Sequence, residues 1–437
     1  LSVARREIFG WAMFDFADSA FATTILAVIF NQYFASVVAG GERGVLLFGF
    51  RLHGASFFTF AVSLSMAIAA VLSPFLGAVA DASGSKKRFL MGFCYGAILF
   101  TSLLYFVHAG DHWMGALFFI LANIGFASGN AFYNAFLPEI STDQTMGRIS
   151  GLGWALGYVG GGILLALNLI MLKHPRWLGF PAGYFTVQDC FLSVAVWWFI
   201  FSLPTFLLLK ERRKGGVAAH GRGSFREGYR RLRDTFRRVK GFGELTKFLL
   251  AYLIYKDGIE TVIIMASIFG AQVLSMETHE IILFFLMVQG IAFVGSLAFG
   301  FLADAIGSKR TVMISLGFWS FIVLWAFCLG WVFDPKTEYW ILGVLAGLVL
   351  GGSQAASRSL QGLFTPEENS AEFFGFFSAS GRFASVLGPL AYGLLIAITG
   401  SVRSGILSVL LFFVVGMIVL WKVDETRGVQ EKQHAIV

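Results

Sequence analysis

Apolar residues gather along this chain into long runs separated by short polar, glycine-rich or basic segments. Each run holds about 17 residues or more, enough for a helix to cross roughly 30 Å of hydrocarbon. Their limits predict twelve spans, at 10–38, 54–80, 89–108, 112–137, 149–172, 188–209, 247–274, 281–303, 311–332, 339–363, 372–398 and 405–421. One separator is longer than the others and divides the spans six and six. The organisation expected is an N-terminal six-helix half (1–209), a basic linker (210–246) and a C-terminal six-helix half with a short tail (247–437).

Composition narrows the class. Hydrophobic residues make up 57% of 437 positions, charged residues only 14%, and mean hydropathy is +0.74. A soluble domain carries roughly 25% charged residues. The expected fold class is therefore an all-α, multi-pass membrane protein. A cleavable signal is not expected, because the first apolar stretch is long and contains Asp15 and Asp18. Cys94, Cys190 and Cys328 all lie inside apolar runs and read as small buried residues, so neither disulfides nor a metal centre is expected. The histidines fall at span ends and loops without metal-ligand spacing.

Charge sets the topology. Of 33 Lys and Arg residues, 24 fall in the tails and loops on the side of the two termini. That asymmetry predicts cytoplasmic termini and explains the net charge of +7 without nucleic-acid binding. Within the linker, Gly215 to Ser224 is glycine-rich and reads as flexible. Phe225, Tyr229, Leu232, Phe236 and Val239 then share one face of a helical wheel, with Arg226, Arg230, Arg233, Arg237 and Arg238 on the rest. This predicts a helix lying on anionic lipid.

The halves repeat one another. Gly77-xxx-Asp81-xx-Gly84-x-Lys86-Lys87 follows span 2, and Gly300-xxx-Asp304-xx-Gly307-x-Lys309-Arg310 follows span 8, at an offset of 223. Pro138-Glu139, Gly147, Gly153 and Gly160 match Pro366-Glu367, Gly375, Gly381 and Gly388 at an offset of 228. Paired halves are a transporter architecture, with the solute bound between them. The glycines allow a tight turn and close helix approach. Asp81 and Asp304 can accept from helix-end amides or pair with a base, so the loops read as gates.

Ionisable groups inside spans are costly unless paired or hydrated, and mark function first. Span 1 carries Asp15 and Asp18; span 7, its equivalent in the repeat, carries Lys256, Asp257 and Glu260. Arg358 lies in span 10 and Arg382 in span 11. Asn130, Asn134 and Gln354 add neutral polar groups, and Tyr255 an aromatic one. Together these residues predict a polar cavity for solute and protons, or another coupling ion.

The two Gly-Asp-Gly-basic loops resemble the signature of the major facilitator superfamily. More narrowly, the chain resembles the branch that includes the autophagy-related vacuolar amino-acid effluxer. The resemblance rests on Phe14-Asp15-Phe16-Ala17-Asp18-Ser19-Ala20-Phe21-Ala22-Thr23-Thr24, Phe132-Tyr133-Asn134 and Leu137-Pro138-Glu139, among others. Ser150-Gly151-x-Gly153, Tyr255-Lys256-Asp257-Gly258, Gly352-Ser353-Gln354-Ala355-x-Ser357-Arg358-Ser359 and Glu372-Phe373-Phe374-Gly375 add to it. Asp18 and Lys256 stand where the family more usually has Asn. The resemblance implies the major facilitator fold, spans 1 and 7 lining a central cavity, and transport of a solute. The glycines of span 5 resemble the superfamily's antiporter signature, with Tyr158 in place of the expected proline.

The expected function is secondary active transport, coupled to protons, of a small polar or zwitterionic, amino-acid-like solute, in the direction of export. The expected setting is a monomer, without cofactor, in a bacterial cytoplasmic membrane with anionic lipid. The competing reading is a sensor or scaffold that keeps the transporter fold. An enzyme is not expected: HExxH, GxSxG and nucleotide-loop motifs are all missing from the sequence.

Overall fold

A computed structural model describes residues 3–47, 50–212, 242–331, 334–384, 387–399 and 402–434. The amphipathic stretch expected at 225–240 lies outside the described residues. Helix α1 (Val3–Ala20) runs on through a π-helical stretch (Phe21–Val28), a short α-helical piece (Ile29–Tyr33) and a second π-helical stretch (Phe34–Val38). The first half continues with α2 (Gly54–Ser83), α3 (Lys86–Leu103), α4 (His112–Asn134), α5 (Met146–Lys173) and α6 (Val187–Leu208). The second half comprises α7 (Gly243–Leu274), α8 (Thr278–Ile306), α9 (Ser308–Phe327) and α10 (Pro335–Phe364), then α11 (Ser370–Phe383), α12 (Leu387–Thr399) and α13 (Val402–Trp421). A last short helix, α14, covers Glu425–His434.

Among the described residues ten helices are long and apolar enough to cross a membrane. Two further crossings complete the twelve expected from the sequence. One is α7, a 32-residue helix that carries Lys256, Asp257 and Glu260. The other corrects an expectation: the eleventh span is not one helix but two, since α11 ends at Phe383 and α12 begins at Leu387. Asp257 explains how the second piece starts in an apolar surrounding. Its carboxylate accepts the amides of Leu387 (3.1 Å) and Gly388 (2.9 Å), which otherwise lack partners at a helix start.

The loop glycines have the conformation their spacing suggested. Gly84 ends α2 at φ 60° and Gly307 ends α8 at φ 97°, a region that side-chain-bearing residues avoid. Both described chain ends lie at one end of the bundle, called the terminal end below. Glu7 of α1 pairs there with Arg212 after α6, and Lys432 of α14 pairs with Asp143 before α5 (3.2 Å).

The halves meet along two seams, α2 on α11 and α5 on α8, which the pseudo-two-fold axis exchanges. Glycines bring the backbones together. A β-carbon at Gly77 would lie 2.9 Å from the Glu372 α-carbon, and one at Gly300 2.8 Å from the Gly147 carbonyl oxygen. Within the first half, α1 packs between α5 and α6, with Gly157, Gly160 and Gly161 facing it.

The repeat also reaches residues that the spacing did not mark. After α6, Glu211 accepts the Lys87 amide at the start of α3 (3.2 Å), while Lys87 Nζ donates to the Leu209 carbonyl (2.6 Å). After α13, Glu425 accepts the amides of Ser308 and Lys309 at the start of α9 (both 3.0 Å), while Lys309 Nζ donates to the Trp421 carbonyl (3.0 Å). Each half thus ends in a carboxylate that caps its own third helix.

Candidate functional site

At the terminal end the seams are closed by matched carboxylates. Asp81, at the end of α2, accepts the amides of Ala371 (3.2 Å) and Glu372 (2.8 Å) in the first turn of α11. Asp304, at the end of α8, accepts those of Gly147 (2.7 Å) and Arg148 (3.2 Å) in the first turn of α5. Each aspartate therefore binds the positive end of a helix from the opposite half. Arg148 also lies 3.6 Å from Asp304. The basic residues of the loops divide their roles. Lys86 is buried, pairs with Glu139 and donates to Ser370 Oγ across the seam (2.8 Å). Lys87 and Lys309 hold the helix-end carbonyls already described, and Arg310 is exposed.

One or two turns deeper, Arg358 of α10 crosses into the first half. Its guanidinium donates to Asp15 (2.9 Å), to Asn134 (3.2 Å), and to both the hydroxyl (3.0 Å) and carbonyl (2.6 Å) of Ser150. The Trp11 and Trp154 rings flank it at 4.9 and 5.0 Å. Tyr133 donates a further bond to Asp15 (2.9 Å). Both members of the ion pair are buried, so the surrounding donors and rings replace the water they have lost. Gly153 makes room for them: a β-carbon there would lie 2.5 Å from the Asp15 carboxylate and 2.6 Å from the guanidinium. Asp18, one turn further along α1, is buried, while Asn130 donates to the Phe126 carbonyl within its own helix (3.2 Å).

The second half contributes a separate group. Lys256 and Glu260 pair one turn apart on α7, and their side chains remain 18% and 29% exposed, so solvent or solute reaches them. Tyr255 hydrogen-bonds Ser357 (2.7 Å), and Arg382 reaches from α11 to the Ala127 carbonyl of α4. Tyr158 donates to Gln354 across the halves.

Tyr158 also lines a cavity of about 700 Å³ on the far side of these charges from the terminal end. Thr23 of the first π-helical stretch and Asn31 and Gln32 of the short α-helical piece after it line one side, and Val262 to Ala266, Phe269 and residues of α8 and α10 line the other. The molecule is thus sealed by helix caps and an inter-half ion pair at one end and hollow towards the other. The charged residues anticipated for a cavity are not in its apolar lining; they lie beneath it. Several members of the sealed end carried no signal in the sequence. Trp11 and Ser370 are of types common in any span, and only the fold gathers them.

Comparisons with known proteins follow the same outline. A family model described as "Vacuole effluxer Atg22 like" matches residues 3–433. An uncharacterized MFS-type transporter, YxiO, of Bacillus subtilis (strain 168) is 28% identical over 427 residues, covering 97% of this chain and 96% of that protein. Autophagy-related protein 22 of Kluyveromyces lactis is 24% identical over 480 residues, covering 99% and 96%. Among solved structures, the proton:xylose symporter XylE superposes with a TM-score of 0.72 at 14% identity, covering 100% of this chain and 98% of that one. A bacterial homologue of the iron transporter ferroportin, in an outward-facing state, gives a TM-score of 0.69 at 14% identity, covering 97% and 99%.

Proposed function

Given that this chain belongs to the vacuole effluxer Atg22-like family of major facilitator membrane transporters, we propose that it exports a small polar or zwitterionic, amino-acid-like solute by alternating access coupled to protons. The observation that carries this reading is the asymmetry of the bundle. One end is sealed by contacts between the halves, and a cavity occupies the other. Every one of those contacts joins two bodies that can rock apart, so the sealed end describes one access state of two. The basic residues clustered at the terminal end support a cytoplasmic position for that end, with the cavity facing away from it. The family's description favours export.

Asp81 and Asp304 act as gates in this scheme. A carboxylate on a helix start contributes about 1 kcal/mol, or roughly a fivefold change in the balance of states. Asp81→Asn and Asp304→Asn should each slow flux while leaving solute binding intact, and the double variant should slow it further. Flux into proteoliposomes measured beside equilibrium binding separates the two effects. Wild-type turnover in both single variants would reduce the loops to turns with topological charge.

Proton coupling is assigned to Glu260, the partly exposed carboxylate paired with Lys256 near mid-depth. Protonation would free Lys256 and change the charge of the site between access states. Glu260→Gln keeps the shape and removes the titration. It should retain solute binding and counterflow but lose accumulation driven by a pH gradient. Uphill transport with unchanged pH dependence would exclude Glu260 from coupling.

A further inference from the structure

The two halves differ at the end away from the termini. In the first half the space between the helices is filled with phenylalanine. Phe30 of the first span meets the rings of Phe34, Phe58, Phe119 and Phe191 at 5.2–6.1 Å between centroids, and all five residues are buried. The second half is hollow there. The cavity of about 700 Å³ is walled by residues of α7, α8, α10 and α13, the counterparts of the first span, α2, α4 and α6, and by residues of α9. Small residues stand at corresponding positions. The offset of 214 that carries Glu211 to Glu425 carries Phe191 to Gly405, and the offset of 228 carries Phe119 to Gly347. Protein interiors are packed about as densely as organic crystals, so a space of this size between helices calls for an occupant.

The polar groups of the lining indicate its chemistry. Tyr392 is buried against the cavity, and its hydroxyl has no hydrogen-bond partner among the described residues. It stands one turn along α12 from Gly388, whose amide Asp257 holds, so the break in the eleventh span sets its position. The side-chain amides of Asn31 and Gln289 also line the cavity. The described lining contains no Asp, Glu, Lys, Arg or His, and an ion entering it would lose hydration without gaining a counter-charge. Phe269, Trp319, Ile322 and Tyr339 represent the rest of the wall, which is aromatic and branched. We infer that this cavity binds an uncharged, largely apolar organic molecule whose polar group is hydrogen-bonded by Tyr392. Its volume lies within the range of about 300–1,000 Å³ that takes drug-sized ligands. This ligand class goes beyond the amino-acid-like solute proposed above and does not depend on it.

The probe is benzophenone, which is uncharged, has two rings and one carbonyl acceptor, and cross-links to nearby C–H bonds under near-ultraviolet light. The full chain is reconstituted in phosphatidylcholine vesicles, because detergent chains could enter the cavity. Labelling should saturate and map by mass spectrometry to cavity residues such as Met265. Unreactive diaryl amides should compete with it, whereas diaryl compounds carrying a carboxylate or an ammonium group should compete about tenfold less well or worse. Tyr392→Phe removes one neutral hydrogen bond and keeps the shape, so it should weaken saturable labelling about three- to tenfold. Ala346→Phe should abolish it by filling the space, and Ala326→Phe does so from α9 if the first variant misfolds. Unsaturable labelling spread over the lipid-facing helices, equal competition by charged compounds, or labelling unchanged in the filling variants would each overturn the inference. Unchanged affinity in Tyr392→Phe would overturn the role given to that hydroxyl. A protein that labels as expected but carries no amino acid would refute the export reading alone, and one that carries amino acids but does not label would refute this one alone.

Discussion

Replacing Arg358 with methionine is expected to open the sealed end and to shift the balance of access states by roughly two to three powers of ten. The guanidinium makes four hydrogen bonds to the first half and lies between two indole rings. Without it, Asp15 would remain buried with the Tyr133 hydroxyl as its remaining described donor. Stranding one member of a buried pair costs about 3–5 kcal/mol, and every 1.4 kcal/mol is tenfold. The cost falls only on the state in which α10 is pressed into the first half. The open state hydrates Asp15 and escapes it. Spin labels on the terminal ends of α2 and α11 should therefore move apart in the variant, by distance measurement in lipid. Adding Asp15→Leu should reverse much of the shift, because no charge is then left buried. Wild-type distances in Arg358→Met alone would mean that the pair follows closure and does not hold it.

Alanine at both Gly77 and Gly300 should trap the same open state by a different route. The new methyl at Gly77 would sit 2.7 Å from the Ala371 carbonyl carbon and 2.9 Å from the Glu372 α-carbon. At Gly300 it would sit 2.8 Å from the Gly147 oxygen and 3.2 Å from the Gly151 α-carbon. These neighbours are backbone and cannot swing aside. Overpacking costs about 1–3 kcal/mol per site, and here it is felt only while the seam is shut. Flux should fall about tenfold or more in the double variant while the protein stays folded, with Gly77→Ala the stronger single change. Gly92→Ala and Gly96→Ala are the controls, since nothing lies within 4 Å of a β-carbon there. If the seam variants transport like the controls, the seams do not set the access state.

The long apolar runs made the helices legible, because hydrocarbon thickness imposes their length. The loop repeat was legible for a similar reason: a turn between packed helices needs glycine and polar residues at fixed steps. Partners were harder to read. Asp81 meets Ala371 and Glu372, and Arg358 meets Asp15, across hundreds of residues and between halves. Spacing along one segment contains nothing about a rigid-body contact of that kind. Span 7 shows the limit within one helix. Lys256 and Asp257 are adjacent, but successive residues point about 100° apart. Lys256 therefore reaches Glu260 one turn on, while Asp257 faces the start of α12. The run 372–398 did hold a signal for that break, since Gly388-Pro389 suits the first turn of a new helix, but the carboxylate that stabilises the start comes from α7 and could not be read from the run.

The carboxylates Glu211 and Glu425 bear on the order in which the protein is made. Arg212 binds Glu7 and the Glu139 carbonyl, and Glu211 caps α3, so all these contacts close within the first half. A nascent chain that has emerged as far as residue 212 already holds every partner it needs for them. The first half can be tied off in the bilayer while the ribosome is still translating the second, as domains tend to fold in turn from the N-terminus. The second half differs in one respect. Its closing segment carries Lys432, which reaches back to Asp143 of the first. The segment that follows the second half's last span thus adds one more tie between the two bodies, made after both have been synthesised.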